Sequence, residues 1–309
     1  MFKKILVASD ALDACDAPSI LATNLAKQED AQLHLMHVLE SSYMGYRDWV
    51  KDFKTGEETV ANAEYREVIK KTMEEKCGDA MSGLKDYVIH VESGFPWMAI
   101  LKTARATKAD LIVLGPHRGK AEEKGVVRTL DRLGSTVEAI IMRARCPVMI
   151  VSRIIPKENL GFKRILFCTD FSTTCEYAFE VSLKVAQECG SKLHIFHTLK
   201  IPIGGQVSYP REQIEKEVAD AKEKLHKTYG DKVKGIDHSF DVWEGEPLVE
   251  IPKYARINEI DLINMGSHAR EQDKRWYLGS VVEKVSLESY CPVITVTRPE
   301  ALLKFEANR

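Results

Sequence analysis

The sequence predicts an α/β protein made of two tandem domains, each built on a doubly wound, five-stranded parallel sheet. Three observations lead to this prediction. The chain has 309 residues, about twice the length of a common domain. Its two halves resemble each other, and within each half short apolar runs alternate with stretches of helical period. We place the domains at residues 1–155 and 160–309, around the polar segment IIPKENLG at 154–161.

The internal repeat covers most of the chain. FKKILVASD at residue 2 matches FKRILFCTD at residue 162, and AQLHLMHVLE at 31 matches SKLHIFHTLK at 191, both with an offset of 160. Twelve of the thirty positions from 88 to 117 are identical to 239–268 at an offset of 151. GSTVEAIIMRARCPVMIVSR at 134 then matches GSVVEKVSLESYCPVITVTR at 279, with an offset of 145. The first copy therefore carries nine extra residues before its third strand and six more before its last helix.

The second copy shows the order of the elements most clearly. Short apolar runs predict strands, and apolar residues three or four apart predict helices. In the long charged helix, Ile214, Val218, Ala221 and Leu225 form the apolar stripe. Continuously apolar strands separated by helices are typical of a parallel sheet that is covered on both faces. The predicted strands are 164–169, 192–198, 240–243, 261–265 and 292–297, and the predicted helices are 177–189, 212–229, 247–258 and 280–289.

Composition limits the classes of function. Lys plus Arg number 44 and Asp plus Glu number 46, so no basic surface indicates nucleic acid or an anionic membrane as a partner. No stretch reaches the roughly 18 apolar residues of a membrane span, and the apolar run at 5–8 is too short for a signal peptide. Seven cysteines without a CxxC pair fit a reducing compartment. We therefore expect a cytoplasmic protein.

Polar and glycine positions at the predicted carboxyl edge of each sheet indicate an anion site. Asp10 and Asp170 follow the first strand of each copy, and Gly115 and Gly266 follow the fourth. In open parallel sheets, ligands bind at this edge where the strand order reverses. We expect glycine there because a side chain would hold an anion away from the backbone, and because a positive φ becomes accessible.

A Gly-Ser pair stands directly before the last predicted helix of each copy, at Gly134-Ser135 and Gly279-Ser280. The free N–H groups and the positive end of the helix dipole would then face the same crevice. The Ser280 hydroxyl is an N-cap, a phosphate donor or both. Taken alone, each glycine also fits a plain turn or an ordinary cap. Their joint occurrence in both copies favours a site that grips a polyphosphate.

These motifs resemble those of the universal stress protein family. The resemblance rests on DFS after the first strand of the second copy, on MGSHA with a thirteen-residue step to GS, and on CPV at the last strand. It covers essentially the whole chain as a tandem pair. Nucleotide-binding members of that family carry G-x2-G-x9-G-(S/T), whereas others lack the glycines and do not retain ATP. The resemblance implies Rossmann-like domains and a role in stress response.

The resemblance also assigns roles within the second copy. Asp170 would lie beside the adenosine, and Thr198 would offer its backbone to the adenine. Ala269 stands where the family has its second glycine, so the site is expected to be weakened by the cost of a positive φ at alanine. The expected ligand is ATP, ADP or AMP, with or without Mg²⁺. The residues assigned to the phosphate cradle are Gly266, Ala269, Gly279, Ser280 and Val281.

The first copy departs further from the family pattern. Asp10, Gly115, Gly134 and Ser135 keep their places, but Arg118 stands where the second glycine belongs. The triplet after the first strand reads DAL instead of DFS, and six extra residues lengthen the loop. We therefore predict that the second copy is the better nucleotide site and that the first is degenerate.

No catalytic or metal site is predicted. The sequence has no G-x-S-x-G elbow, HExxH motif or P-loop, so rapid phosphoryl transfer lacks its usual parts. The pairs His34/His37 and His194/His197 would each point to opposite faces of a strand, so we interpret them as structural. The alternatives are a nucleotide-free interaction module of the same fold and a slow ATP hydrolase.

The resemblance implies that domains pair through their last strands. We expect 147–152 and 292–297 to face each other within the chain as a pseudo-dimer, and the resemblance also allows two chains to form a homodimer. Segments 41–53 and 201–210 precede the charged helices and are candidate lids. A nucleotide would then act as a regulatory ligand that stabilises one arrangement of the protein through differential affinity.

Overall fold

One ten-stranded sheet runs through the computed structural model, which describes residues 1–11, 15–41, 49–52, 55–116, 132–156, 159–200, 210–267, 270–272 and 275–297. The first half contains β1 (Lys4–Ala8), α1 (Ala17–Glu29), β2 (Gln32–Glu40), β3 (Trp49–Lys51), β4 (Glu58–Val60), α2 (Ala63–Met81), β5 (Tyr87–Gly94), α3 (Pro96–Thr107), β6 (Leu111–Leu114), α4 (Ser135–Arg143) and β7 (Val148–Ile150). The second half contains β8 (Arg164–Cys168), α5 (Thr173–Cys189), β9 (Lys192–Leu199), α6 (Arg211–Tyr229), β10 (His238–Glu244), α7 (Pro247–Ile257), β11 (Leu262–Gly266), β12 (Arg270–Gln272), β13 (Arg275–Tyr277), α8 (Ser280–Glu288) and β14 (Val293–Val296).

The strand order confirms two tandem doubly wound folds. Along the sheet the strands run β10-β9-β8-β11-β14-β7-β6-β1-β2-β5. Within each half the neighbours are parallel, and their order is third, second, first, fourth, fifth. The order reverses between β1 and β6 in the first half and between β8 and β11 in the second. Each half thus has a switch point at which parallel sheets bind ligands.

The two halves join through their last strands, as predicted. Strands β7 and β14 are antiparallel, and Met149 lies opposite Ile294, its own counterpart in the repeat. A pseudo-two-fold axis therefore passes through this pair. Hydroxyls on both sides reinforce the joint: Ser152 Oγ donates to Ser289 O at 3.2 Å, and its counterpart Thr297 Oγ1 donates to Ile141 O at 2.8 Å.

Among the described residues, the core is continuous across the halves on one face of the sheet and divided on the other. There, residues of both halves, such as Val7 and Phe167, form one buried cluster beneath α1, α2, α5 and α6. On the opposite face, one cluster lies beneath α3 and α4 and a separate one beneath α7 and α8. Leu278 packs against both of these clusters. Among the described helices, none has the length and apolar character of a membrane span.

Several element boundaries differ from the prediction. Helix α5 begins at Thr173 rather than at 177, because Ser172 takes the N-cap position. The burial of α6 is confined to its end, where Leu225 and Tyr229 are fully buried while Val218 is half-buried. Strand β11 begins at Leu262, one residue later than predicted, and the Asp261 carboxylate before it accepts a hydrogen bond from the Arg164 N–H at 2.9 Å. Two antiparallel hairpins, β3–β4 and β12–β13, were not predicted.

Candidate functional site

Three of the predicted site residues lie side by side at the carboxyl edge of the second half. Asp170 follows β8 by two residues and is level with Thr198 on the neighbouring strand β9. Gly266 ends β11, on the other side of β8, one residue below that level. The Thr169 N–H donates to Phe196 O at 2.9 Å, which continues the ladder past the end of β8. The switch point therefore brings these residues together.

The Asp170 side chain closes the turn that starts α5. Asp170 is exposed, and its Oδ1 accepts hydrogen bonds from the Ser172 N–H at 3.0 Å and from the Cys175 thiol at 3.1 Å. Cys175 is buried in the first turn of the helix. Burial, and then the Asp170 carboxylate, raises the pKa of this thiol. The thiol is thus protonated at neutral pH and acts as a donor.

Phe171, next to Asp170, holds a left-handed backbone conformation with φ of 63°. This conformation is unfavourable for a residue with a side chain, by about 1–2 kcal/mol. Local contacts stabilise it: its N–H donates to Thr169 Oγ1 at 2.9 Å, and its ring centroid lies 4.8 Å from that of His197. Lys224 Nζ lies 4.0 Å from the centroid of the same ring. The loop that presents Asp170 is therefore held from several sides.

The histidine at the end of the second strand anchors this loop in both halves. His197 Nδ1 donates to Thr169 O at 2.8 Å, and burial lowers the pKa of His197. In the first half, the Ala11 N–H donates to His37 Nδ1 at 3.0 Å. Both histidines are predicted from the sequence to be structural, but their positioning of the candidate site is not part of that prediction. Their recurrence at the end of the second strand in both copies is the signal that identifies this role.

The reason for glycine at 266 differs from the expected one. Its φ is not positive, and a Cβ built there would lie 2.6 Å from both Thr174 C and Cys175 N. Both atoms belong to the backbone of the first turn of α5. The expectation of a positive φ was therefore wrong. Gly266 lacks a side chain because α5 packs directly against the end of β11.

Gly279, and not Ser280, is the N-cap of α8. Gly279 has φ −64° and ψ 133°, an extended conformation open to any residue. Ser280 is the first helical residue and its side chain is exposed, so the N-cap interpretation of its hydroxyl was wrong. Val281 is half-buried against the cluster beneath α7 and α8. Gly279 has no side chain with which to cap the helix, so the first-turn N–H groups suit an anion.

The segment between Gly266 and Gly279 is only partly described. The Ser267 N–H donates to Val296 O at 2.9 Å, so this amide is committed to the sheet. The Ser267 hydroxyl is buried and has no hydrogen-bond partner among the described residues. The hairpin β12–β13 occupies the middle of the segment. Ala269 lies outside the described residues.

The first half repeats the edge but changes the loop that follows β1. Asp10 and Gly115 follow β1 and β6, and their levels match those of Asp170 and Gly266. Helix α1, however, begins at Ala17, four residues later than the repeat would place it. Asp10 is therefore remote from the helix start, unlike Asp170.

A hairpin covers the edge of the first-half sheet. Val50, on β3, is fully buried and forms a bridge with Ser41, just beyond β2. Ala11, next to Asp10, is also fully buried in the same cluster. The described part of the first candidate lid is thus a packed hairpin, whereas residues 201–209 of the second lie outside the described part of the chain.

Helices α4 and α8, the last helices of the two halves, approach each other near the pseudo-two-fold axis. Gly134 is the N-cap of α4, Ser135 is exposed, and the Gly134 N–H donates to Pro116 O at 3.0 Å. This bond joins the segment leaving β6 to the start of α4. The Leu133 N–H donates to Glu283 Oε1, on the first turn of α8, at 3.1 Å. Arg118 lies outside the described residues.

The other member of each pair, His34 and His194, is buried on the opposite face of the sheet, as predicted for a structural histidine. His194 Nδ1 lies 2.9 Å from Tyr254 Oη, which donates to Asp241 Oδ2 at 2.7 Å. In the first half, His34 Nδ1 lies 3.0 Å from His90 Nε2. Burial lowers the pKa of His34 and of His194 to about 4. Within the described part of the chain, no three His, Cys, Asp or Glu residues are grouped as a metal site would require.

Comparisons with known proteins agree with the resemblance seen in the sequence. The model of the universal stress protein family matches residues 1–152 and again residues 161–297. The chain belongs to the universal stress protein family. Universal stress protein MJ0577 of Methanocaldococcus jannaschii is 32% identical over 162 residues, which are 45% of this chain and 98% of that protein. Universal stress protein MJ0531 of the same organism is 28% identical over 149 residues, 46% of this chain and 86% of that protein.

A solved structure shares the fold over the full length. The crystal structure of a universal stress protein from Archaeoglobus fulgidus covers 96% of this chain and 96% of its own, with a TM-score of 0.63 and 21% identity. The tandem arrangement of two Rossmann-like folds therefore has a solved counterpart within the family.

Proposed function

We propose that this protein is a cytoplasmic universal stress protein whose second domain, residues 160–309, binds ATP or another adenine nucleotide as a regulatory ligand in stress response. The observation that carries the proposal is that Asp170, Thr198 and Gly266 lie within one residue of the same level on three neighbouring strands at the switch point. Helix α8, which starts after Gly279, connects the two strands β11 and β14 that flank this edge. A carboxylate acceptor and an uncapped helix start thus belong to one edge of one sheet.

The residues present fit the parts of a nucleotide. Asp170 is exposed and carries acceptor oxygens, which suit the hydroxyls of a ribose. The uncapped first turn at Ser280 and Val281 offers N–H donors and the positive end of the helix dipole, which suit phosphate. A bound nucleotide would place its phosphates at the start of α8 and its sugar beside Asp170, and this binding would stabilise the carboxyl edge of the second-half sheet in one arrangement. Only a difference in affinity between two arrangements can turn that binding into a signal.

Two observations favour the second domain over the first. Asp170 lies directly at the start of α5, whereas the longer loop of the first half separates Asp10 from α1. In addition, the hairpin that carries Val50 is packed over the edge of the first-half sheet. Both features leave the first domain, residues 1–155, less suited to the same ligand.

The proposal is tested by denaturing freshly purified protein and identifying adenine nucleotides in the supernatant by chromatography, followed by binding titrations with ATP, ADP and AMP. We expect binding, with loss after Gly279→Val and a smaller effect of the matched change Gly134→Val. Equal loss in both variants would contradict the ranking of the domains. Absence of binding to all three nucleotides would favour the nucleotide-free interaction module.

Turnover is tested separately by incubating the protein with labelled ATP and Mg²⁺ and following the formation of product. We expect slow hydrolysis at most. Light scattering on the purified chain tests the homodimer, which we propose as a second level of association beyond the pairing of β7 with β14.

A further inference from the structure

We infer that Cys175 is a positioning residue for the ribose of the bound nucleotide. Its thiol donates to Asp170 Oδ1 at 3.1 Å and, with the Ser172 N–H at 3.0 Å, fixes the carboxylate in the orientation that receives the sugar hydroxyls. The inference rests on the proposed function, because it assigns a role within the same site.

The surroundings of Cys175 make its thiol a donor. The residue is 4% exposed, and burial raises the pKa of the thiol. A protonated thiol next to a carboxylate donates its hydrogen, while a thiolate there would repel the carboxylate. Because Asp170 itself is exposed, its orientation depends on such contacts from the protein side. The two donors reach the same oxygen from the N-cap residue, Ser172, and from the first turn of α5.

Gly266 explains how Cys175 comes so close to the edge of the sheet. The Cys175 N atom lies 2.6 Å from the point that a Cβ at 266 would occupy. The missing side chain therefore lets the first turn of α5 rest on the end of β11. Gly266, Cys175 and Asp170 form one chain of contacts from the fourth strand to the predicted ribose site.

The first half lacks this arrangement and supplies an internal comparison. Cys15 is the repeat counterpart of Cys175, yet it precedes α1 and its thiol is hydrogen-bonded to Cys77. Cys15 therefore does not donate to Asp10 from a helix in the way that Cys175 donates to Asp170. Replacing Cys15 by alanine is a matched control, since it removes a thiol at the equivalent position of the other repeat.

The test compares Cys175→Ala with Cys175→Ser by titrating ATP, 2′-deoxy-ATP and 3′-deoxy-ATP. We expect Cys175→Ala to lower the affinity for ATP about five-fold, the net worth of one ordinary hydrogen bond, because a thiol is a weak donor even toward a carboxylate. The preference for ATP over the deoxyribose analogues should fall in the same variant. Cys175→Ser keeps a donor and should retain both the affinity and the preference, and Cys15→Ala should change neither.

The outcomes separate the inference from the proposed function. If the wild type binds no nucleotide, the proposed function fails, and this inference falls with it. If the wild type binds ATP and Cys175→Ala keeps both affinity and ribose preference, only the inference is overturned. Equal losses in the Ala and Ser variants would mean that Cys175 acts through packing and would also overturn it. Should the Ala variant not fold, Cys175→Val, which keeps an apolar side chain of slightly larger size without a donor, takes its place with the same expected loss.

Discussion

Replacing Gly266 by alanine should destabilise the protein through a collision with α5. The new Cβ would lie 2.6 Å from Cys175 N, 2.6 Å from Thr174 C and 2.7 Å from Thr174 O. Ordinary contacts between such atoms are about 3.5–4.0 Å, so each atom must move by about 1 Å. All three belong to the backbone of a helix, and none can be relieved by rotating a side chain. Helix α5 must therefore shift as a body, or β11 must bend.

The cost follows from the packing of this face of the sheet. Forcing extra volume into a packed core costs about 1–3 kcal/mol, and backbone atoms place this site at the upper end of the range. We expect a loss of about 2–3 kcal/mol in the free energy of unfolding, and a fall in melting temperature of roughly 4–12 °C. Urea denaturation followed by tryptophan fluorescence measures the loss, provided that the m value is unchanged.

Gly78 is the matched control for this substitution. It lies at an exposed position inside α2, and a Cβ there would meet nothing within 4 Å. Gly78→Ala should therefore stabilise the protein by about 0.5–1 kcal/mol. If Gly266→Ala leaves the stability unchanged within about 0.5 kcal/mol, the contact with α5 is not the reason for glycine at 266.

Further predictions concern backbone strain, pH and the joint between the halves. Gly190 has φ of 63° and open space at its Cβ position, so Gly190→Ala should cost about 1 kcal/mol, and Lys108→Gly, at φ of 58°, should gain a similar amount in urea denaturation. The pKa of His34 and that of His194 are lowered to about 4, so the unfolded chain binds more protons between pH 6.5 and 4. As the pH is lowered through that window, the free energy of unfolding should fall by about 1–2 kcal/mol per histidine after allowing for solvent screening, and should then level off. In thermal melts recorded from pH 7 to 4, His194→Gln should reduce the change of melting temperature with pH. Thr297→Val removes a hydroxyl bond across the two halves and should cost about 1 kcal/mol, whereas unchanged melting would show that the bond is dispensable.

Much of the fold could be predicted because the sequence shows two regular patterns, the internal repeat and the alternation of strand and helix patterns. The repeat and the alternation of elements predicted two doubly wound parallel sheets, the strand ends predicted Asp170 and Gly266 at one edge, and the family resemblance added Thr198. Contacts between remote segments carry no such pattern. Gly266 and Thr174 are 92 residues apart, so the sequence could show a glycine at a strand end but not the helix that rests on it.

The missed role of Cys175 has a related cause. The apolar stripe of α5 is clear only from 177 onward, so the predicted helix began there and left Cys175 in a loop. The helix begins at Thr173 because Ser172 is its N-cap and Asp170 accepts from the Ser172 N–H. One turn of additional helix places the thiol beneath the carboxylate. Local hydrogen bonds at a helix start thus decided a feature of the candidate site that the hydrophobic period could not reveal.

The most direct test of the proposed ligand site is the stoichiometry of labelled ATP bound at equilibrium, measured by dialysis for the wild type and for Asp170→Ala beside Asp10→Ala. We expect one nucleotide per chain, lost when Asp170 is replaced and kept when Asp10 is replaced. No bound nucleotide, or binding that survives the loss of Asp170, would contradict this expectation.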